Sequence, residues 1–444
     1  MPKFIIWINT ILAAIFLFAG SSAIAQNNDP FGNRSQADTS VSYKPPAVYV
    51  TKINLEPTAT SNQVKGKFMV WNNEKEVIGD LLYRIDLLDP LPKADPESGN
   101  VEDNAAIYDR FVSTNKFSLL PNERKEFSFT YNPPSTLPGG NYRIQITATN
   151  SRGRDMGWWD ADVQLPVQKI NFIKLITGPL ISPEYPDRTF PAQAGPNISP
   201  EKSFNLNITA QNDSATDLKV TPILYLYEFD VARGLLDTIN GKAISVPAHQ
   251  KKTISFPVIA AKVPRVYYGI LVLKDAASGK QLSNLAEYRW VVKGEHAEVL
   301  AMRVVKTATG KGQAAIIRVD LVGSADAITK TKVDLNVAVK DKQGTAGNID
   351  VKGVELGDGV YTTQGPITLA RDLEENKVIV ATLKNQLGKE IDIYSIPLDF
   401  NAATLKTWTN TGILQIGFGI IAVGIVLVFV SKIFFKKKQR FQVK

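Results

Sequence analysis

The chain has 444 residues, a hydrophobic content of 44% and a formal net charge of +8. Lys3 and six cations near the C-terminus account for most of that charge, so the rest of the chain is close to neutral and lacks the basic surface that nucleic-acid binding needs. Cysteine is absent, which excludes disulfides, thiol catalysis and cysteine-ligated metal centres. The length suits two or three domains that depend on hydrophobic cores alone.

The N-terminal segment has the features of a secretory signal peptide. Lys3 precedes an apolar run over residues 4–18, and Ala23 and Ala25 form the small-x-small pattern of a cleavage site. We therefore expect cleavage after Ala25 to remove residues 1–25, with a retained N-terminal anchor as the alternative. Residues 26–46 are polar and rich in Asn and Pro, and we expect them to form a flexible leader.

Alternating apolar and polar runs recur through residues 47–293 and predict antiparallel strands that each bury one face. The runs repeat in register, as three matched pairs show: Asn72 with Asn212, Pro121 with Pro247, and Tyr142 with Tyr268. A final strand bearing tryptophan follows in both copies. The repeat predicts two β-sandwich domains, at residues 47–168 and 169–293.

Residues 294–400 show a weaker version of the same pattern. Alternating runs and a turn at residues 385–388 occupy comparable places, but this segment is glycine-rich and lacks tryptophan. We expect a third, diverged β-sandwich domain here, followed by a linker at residues 401–410. The predicted fold class is therefore all-β, with two to three tandem antiparallel sandwiches and one C-terminal transmembrane helix.

Several short motifs carry a resemblance to a known family. They are a strand that ends at Asn72-Asn73, residues 119–123 before a strand at residues 127–129, residues 138–142 before the next strand, and a turn at residues 150–153. This arrangement resembles bacterial cell-surface immunoglobulin-like or fibronectin-III-like modules of the CARDB type. The resemblance implies seven-stranded sandwiches in tandem, a spacer, adhesion or partner-binding role, and no catalytic residues.

The C-terminal segment predicts a single membrane span. Residues 413–430 carry no charge, and extension to residues 411–431 gives the length of about 20 residues that crosses a bilayer as a helix. A buried core helix is the alternative. Trp408 suits the outer interface, and the basic tail at residues 432–444 predicts a cytoplasmic C-terminus that contacts lipid headgroups. The residues that set this topology are Lys432, Lys436, Lys437, Lys438, Arg440 and Lys444.

The sequence contains no recognisable motif for catalysis, cofactor binding or metal binding. We therefore assign no catalytic, cofactor-binding or metal-binding residue and expect no cofactor. His249 and His296 lie in predicted loops. Asp155, Asp160 and Asp162 lack the spacing of a calcium loop, and whether any loop binds calcium stays open. Scattered carboxylates leave a membrane-tethered hydrolase as a distant alternative.

Trp158 and Trp159 are the candidate contacts for a ligand or partner. Adjacent strand residues point to opposite faces, so we expect one indole to pack in the core of the first domain and the other to face outward. An outward indole stacks well on a sugar ring or anchors a protein. Packing under a loop or against the next domain is the alternative.

These features predict a non-enzymatic, membrane-anchored surface protein of a prokaryotic cell, with its ectodomain outside the cytoplasm. The tandem domains would act as a stalk and as binding or adhesion modules. The expected partners are membrane lipid and a protein or glycan at the cell surface, and not nucleic acid. The runner-up is an accessory, membrane-anchored subunit of an export or surface-polymer assembly that binds through sheet edges.

Overall fold

The structure is a computed structural model that describes residues 47–56, 63–90, 105–166, 171–324, 329–357, 359–375 and 377–398. The chain divides into two compact units after Leu398, and the described residues all belong to the first. The predicted signal peptide, leader, linker, transmembrane helix and basic tail lie outside the described residues. A search of the described part for a helix long and apolar enough to span a membrane finds none.

The described part is all-β, as the sequence predicts. It consists of antiparallel strands in several sheets, with one short parallel pair and a single 3-10 turn at Val231–Arg233. The strands form because apolar residues recur at every second position. In the strand Ser203–Asn212, for example, Phe204, Leu206 and Ile208 are buried while the residues between them are half-exposed. Each such buried side chain stabilises the fold by about 1.5–3 kcal/mol.

The first sandwich contains eight strands, and its two sheets have the orders β1-β2-β6 and β4-β3-β7-β8. The sheets face each other across one hydrophobic core that includes Phe68, Ile85 and Ile144. Strand β5 also pairs with β3. The strands are β1 (Val48–Leu55), β2 (Val64–Asn72), β3 (Val77–Leu88), β4 (Ile107–Val112), β5 (Phe117–Leu119), β6 (Arg124–Tyr131), β7 (Gly140–Asn150) and β8 (Asp155–Leu165).

The second sandwich packs the sheet β10-β9-β12-β16 against the sheet β11-β18-β17-β13-β14. Its core is built around Trp290, which contacts Phe204 and stacks near Tyr267. The strands are β9 (Ile173–Ile181), β10 (Thr189–Phe190), β11 (Asn197–Ile198), β12 (Ser203–Asn212), β13 (Leu218–Glu228), β14 (Leu235–Asn240), β15 (Ile244–Val246), β16 (Gln250–Ile259), β17 (Val266–Asp275) and β18 (Ala286–Val292).

The third sandwich has the strand sets β23-β20-β19 and β22-β21-β24-β25. Val333 and Leu335 from one set and Val319 and Leu321 from the other are fully buried between them. The strands are β19 (Ala297–Lys306), β20 (Ala314–Gly323), β21 (Thr331–Asp341), β22 (Gly344–Leu356), β23 (Val360–Thr368), β24 (Val378–Asn385) and β25 (Glu390–Pro397).

The three sandwiches share one strand order. The first, second and fifth main strands form one sheet in each, as β1-β2-β6, β9-β12-β16 and β19-β20-β23. The opposite sheets are β4-β3-β7-β8, β14-β13-β17-β18 and β22-β21-β24-β25. The third segment therefore repeats the topology of the first two although its sequence has diverged. Whether the boundaries near residues 168 and 293 separate independently folding domains stays a prediction.

The register of the repeat differs by one residue from the match made on sequence. Tyr142 donates a hydrogen bond from its hydroxyl to the carbonyl four residues earlier, and Tyr267 does the same in the second sandwich. Tyr267, rather than Tyr268, is therefore the equivalent of Tyr142. The turn before the preceding strand is offset by one residue in the opposite direction, because the left-handed residues there are Asn122 and His249, with φ of 59° and 56°.

The third sandwich contacts the first directly. Strand β19 pairs with the start of β3, as Arg303 opposite Ile78 and Val304 opposite Val77, so that an eight-stranded sheet spans both sandwiches. The described sandwiches are therefore not arranged as a row in which each touches only its sequence neighbours. The stalk expected from sequence differs from this packing. The inter-sandwich contacts include polar pairs such as Arg110 with Glu287 and apolar clusters such as Phe229 with Leu300 and Val322.

Candidate functional site

A cleft with a volume of about 1190 Å³ lies where the three sandwiches meet. Its lining comes from β7 and β8 of the first sandwich, from β9 and β18 of the second, and from β19 and β23 of the third. Typical small-molecule pockets occupy about 300–1,000 Å³. The size therefore suits an extended ligand.

The first sandwich provides a polar floor with one aromatic side chain. Arg143, Gln145 and Thr147 recur at every second position of β7 and line the cleft, while the core residue Ile144 points to the other face. On the neighbouring strand β8, Trp158 pairs with Thr147 and also lines the cleft. Cross-strand partners share a face, so these side chains lie next to one another.

Two groups in this floor have unsatisfied hydrogen-bonding capacity. Arg143 is 5% exposed and Thr147 is 1% exposed. The Nη1 of Arg143 donates to Asp160 at 3.0 Å, but among the described residues its Nε and the hydroxyl of Thr147 have no hydrogen-bond partner. A buried, unsatisfied polar group costs about 1–3 kcal/mol. Such groups therefore mark a place where the fold retains polar atoms for a reason other than stability.

The second sandwich provides the opposite wall. Lys174 and Ile176 alternate along β9 and are exposed, and Arg289 comes from β18. The guanidinium of Arg289 lies 5.2 Å from the ring centroid of Tyr268. Neither Lys174 nor Arg289 has a carboxylate within ion-pair distance in the part of the chain that the structure describes. Both cations are thus available to an anionic group in the cleft.

A buried ionic network fixes the first sandwich against the second beneath this cleft. Arg110 donates to Asp86 at 2.5 Å and lies 2.7 Å from Glu287 of the second sandwich. Its Nη1 also donates to the hydroxyl of Tyr268 at 2.5 Å, and Tyr268 donates to Glu287. Charge-assisted bonds of this kind are roughly twice as strong as neutral ones. The relative placement of the two walls therefore depends on these side chains.

Arg84 extends the network across the same interface. It donates to Asp86 at 3.0 Å, to Asp155 at 3.2 and 3.3 Å, and to Asp230 of the second sandwich at 3.4 Å. Burial alone would raise the pKa of Asp86, but the guanidiniums of Arg110 and Arg84 hold it below its usual range. Asp86 is therefore ionised at neutral pH, and its charge is neutralised inside the protein.

The turn between β7 and β8, residues 150–154, joins all three sandwiches. The Asn150 carboxamide donates to the carbonyl of Leu300 at 2.9 Å, and Arg152 donates to Asp392 at 3.0 Å, so the turn contacts the third sandwich twice. Arg233 of the second sandwich donates to the Arg152 carbonyl at 2.9 Å. Gly153 and Arg154 of this turn also line the cleft.

The structure separates the two predicted tryptophans. Trp158 is partly buried and lines the cleft. Trp159 points to the other face of β8, where it is the cross-strand partner of Ile146 and is 36% exposed. Neither belongs to the buried core, so the expectation that one of them does was wrong. Strand β8 lies at the edge of its sheet, and its inward-facing position is only partly covered at Trp159, although Val163 and Leu165 farther along the same face are buried in the core.

The other predicted residues either serve local contacts or lie outside the described residues. His249 is exposed in a turn, and His296 lies 3.5 Å from Glu298. Within the described ranges, no group of three His, Cys, Asp or Glu side chains is placed to hold a metal ion, and Asp155 and Asp160 bind arginines instead. The predicted interface and topology residues all lie outside the described part; they are Trp408, Lys432, Lys436, Lys437, Lys438, Arg440 and Lys444.

Sequence reasoning missed most of the cleft. Arg143, Thr147 and Lys174 are polar residues at alternate strand positions, a pattern that also describes an ordinary solvent-facing surface. One usable signal was the run Arg143-x-Gln145-x-Thr147 beside a tryptophan-bearing strand. It marks a polar strand face with an aromatic neighbour, but it does not show that a second sandwich covers that face.

Comparison with known proteins gives no close relative. No family model matches the chain, and no curated protein matches it. Among solved structures, native Escherichia coli α2-macroglobulin aligns with 80% of this chain and 23% of its own, at 12% identity and a TM-score of 0.20. The elastase-activated form of the same protein aligns with 80% of this chain and 44% of its own chain, at 9% identity and a TM-score of 0.23.

Red sea bream transglutaminase aligns with 55% of this chain and 31% of its own, at 7% identity and a TM-score of 0.20. This chain thus spans less than half the length of each of these structures. The TM-scores are too low to indicate a common overall architecture, so nothing about this chain follows from them.

Proposed function

We propose that this chain is a non-enzymatic, membrane-anchored surface protein that binds a partner in the cleft between its sandwiches. The observation that carries this proposal is the cleft itself. Its floor is lined by Trp158 and by the unsatisfied polar groups of Arg143 and Thr147. A partly exposed indole beside buried donors is a common arrangement in recognition sites. The partner is a protein or glycan at the cell surface.

We also propose that the sandwiches are immunoglobulin-like or fibronectin-III-like modules of the CARDB type. The strand order supports this, because the first, second and fifth strands share one sheet and the third, sixth and seventh share the other. In this proposal the three modules form a head that presents the cleft.

The charges in the cleft favour binding over catalysis. Asp155 and Asp230 accept hydrogen bonds from Arg84, and Glu287 pairs with Arg110. Burial raises the pKa of Asp155 in spite of Arg84, so the hydrogen bonds that engage these carboxylates, and not their pKa values, favour a structural role. The proposal therefore assigns these residues to holding the walls of the cleft together.

Membrane attachment is part of the proposal and is tested separately. The uncharged run at residues 411–431 and the basic tail that follows support a single span with a cytoplasmic C-terminus. On intact cells with any outer barrier permeabilised, external protease should digest the sandwiches and leave a C-terminal tag protected. A tag that is cleaved while the sandwiches survive would reverse this topology.

The accessory-subunit alternative rests on a different surface. Strand β16 lies at the edge of its sheet, and Ile259 at its end is 71% exposed. Edge strands offer unpaired backbone groups to another chain. A partner that pairs along β16 would fit a subunit of a larger assembly better than a surface binder.

Site-specific photo-crosslinking on intact cells distinguishes these functions. A photo-reactive residue in place of Trp158 should capture a surface partner, and the same residue in place of Trp159 should not, because the two positions face opposite sides of β8. Capture at Ile259 without capture at Trp158 would favour the accessory subunit. Equal capture at Trp158 and Trp159 would contradict a specific cleft.

A further inference from the structure

We propose that the ligand of the cleft is an acidic glycan, a chain of sugars that carries carboxylates. This inference rests on the proposed function, because it names the class of partner that the cleft takes. It is drawn from the positions of three kinds of side chain: an aromatic surface, neutral hydrogen-bonding groups and unpaired cations.

The first sandwich provides the groups that a sugar ring needs. Trp158 lies in the cleft with part of its indole uncovered, and a flat aromatic surface packs against the apolar face of a sugar. Gln145 and Thr147 lie on the same face and offer both donors and acceptors to hydroxyl groups. The hydroxyl of Thr147 is buried on this face and has no hydrogen-bond partner among the described residues.

The cations in the cleft favour a ligand with carboxylates. Lys174 and Arg289 on the second sandwich have no ion-pair partner among the described residues, and the Nε of Arg143 has no acceptor there. Carboxylates of the cleft that could neutralise them, such as Asp155 and Glu287, are already paired with other arginines. A guanidinium binds a carboxylate through two parallel hydrogen bonds, which gives both strength and orientation.

An extended peptide fits the same cleft less well. Strand β7 forms the floor and is paired on both sides, with β3 and β8, so a peptide could extend only the edge strand β8 and not the floor itself. The floor instead presents side chains. Recognition by a polar floor and one aromatic group suits a hydroxyl-rich chain, so the peptide becomes an outcome of the test and not the proposal.

Isothermal titration calorimetry on the full-length chain tests the ligand class. The probes are trigalacturonic acid, its methyl ester, a sialic acid trimer and a heptapeptide of glutamate. At least one acidic trisaccharide should bind, and the methyl ester of trigalacturonic acid should bind about tenfold or more weakly than the acid if galacturonate is accepted, because it lacks the charge. Affinity should also fall as salt is raised.

Variants locate the binding in the cleft. Trp158→Ala should weaken binding of the acidic trisaccharide by about tenfold, whereas Trp159→Ala should change it by less than about twofold. Trp158→Phe keeps an aromatic face and should retain most of the affinity, which separates loss of stacking from loss of folding. Lys174→Gln should weaken binding, and Lys65→Gln, an exposed change on the opposite sheet, should not.

Three results would overturn the inference. The first is that neither acidic trisaccharide binds at millimolar concentration. The second is that Trp158→Ala binds as well as the unaltered chain. The third is that the glutamate peptide binds through Trp158 and the sugars do not, which would identify an acidic peptide as the ligand. If photo-crosslinking at Trp158 still captures a surface partner in these cases, the proposed function stands and only the glycan assignment fails.

Discussion

Two turns of this protein have the same backbone and opposite surroundings. The turn after β7 begins at Asn150, and the turn after β24 begins at Asn385. In each, the Asn side chain accepts hydrogen bonds from the amides two and four residues later, at 3.1 and 2.9 Å in both turns. Each also has a glycine with a positive φ, 79° at Gly153 and 77° at Gly388.

The surroundings of the two turns differ completely. The turn after β7 is docked, because Arg152 reaches Asp392 and the ring of Tyr394 in the third sandwich. The turn after β24 makes no such contact with the other described residues, and Leu387 at its tip is 92% exposed. The comparison teaches that a local Asn-x-x-Gly motif determines the shape of a turn, whereas the side chains between those residues determine whether the turn docks.

Loss of the charges beneath the docked turn should have the largest effect. Arg84→Met leaves Asp230 and Asp155 without their guanidinium partner, and removal of one member of a buried ion pair costs about 3–5 kcal/mol. Chemical denaturation of the full chain should show this loss. Lys65→Met, an exposed change in the same sandwich, is the control and should leave stability nearly unchanged. An equal response to both changes would contradict a buried network.

The two glycines give a matched test of docking. A Cβ atom at Gly153 would lie 2.3 Å from the Cβ of Asp230, whereas a Cβ at Gly388 would meet nothing within 4 Å. Both changes to alanine incur the strain of a positive φ, about 1–2 kcal/mol. Gly153→Ala should cost about 1–3 kcal/mol more because of the clash. The readout is the thermal-unfolding midpoint, and equal shifts for the two variants would show that the first turn is not docked.

Acid should weaken the docked junction. Arg233 binds Glu298 through two hydrogen bonds of 2.7 and 2.8 Å next to the docked turn. Burial alone would raise the pKa of Glu298, but Arg233 holds it well below its usual value of about 4.5. The Glu298 carboxyl therefore binds a proton less readily in the folded chain than in the unfolded chain. Its ion pair with Arg233 stabilises the fold fully above the usual Glu pKa, and this stabilisation is lost as pH falls through the lowered pKa of Glu298.

Glu298→Gln tests this dependence. The variant should be less stable than the unaltered chain at neutral pH, and the difference should shrink as the pH is lowered below the usual range of a Glu carboxyl. Denaturation curves between neutral pH and pH values well below that range provide the measurement. A difference that stays constant across the whole range would mean that the Glu298 charge does not stabilise the junction.

Side-chain truncation in the two turns should give the smallest effects, and they should still differ. Arg152→Ala removes a charge-assisted hydrogen bond to Asp392 and should cost about 1.5–3 kcal/mol. Leu387→Ala removes an exposed side chain and should change stability by about 0.5 kcal/mol or less. Thermal unfolding of both variants is sufficient to compare them. A larger loss at Leu387 than at Arg152 would reverse the comparison.

The strands, their sandwich pairing and the shape of the turns could be predicted from the sequence, because alternation and turn residues act locally. The strand β3 shows where prediction stopped. Arg84 and Asp86 alternate with Ile85 and Leu87 and therefore predict one solvent-facing side, but all four are buried because the second sandwich covers that side. The charges that join sandwiches have the same sequence pattern as surface charges.

The cleft could not be predicted for the same reason. Trp158 was a candidate because one of two adjacent tryptophans on a strand is expected to face outward, but Lys174 and Arg289, which line the same cleft, lie far away along the chain. Their proximity depends on the contact between two sandwiches, which is set by Arg110 and Tyr268 across the interface. Local patterns contain no information about that contact.

Amide hydrogen exchange in the two turns tests the docked junction most directly. The amides of Gly153 and Gly388 make the same hydrogen bond, 2.9 Å to the carbonyl of the turn asparagine. If the first turn is held between the sandwiches, the Gly153 amide should exchange slower than the Gly388 amide by about two orders of magnitude or more, since its opening requires the junction to separate. Equal exchange rates at the two glycines would contradict a fixed junction and the cleft that depends on it.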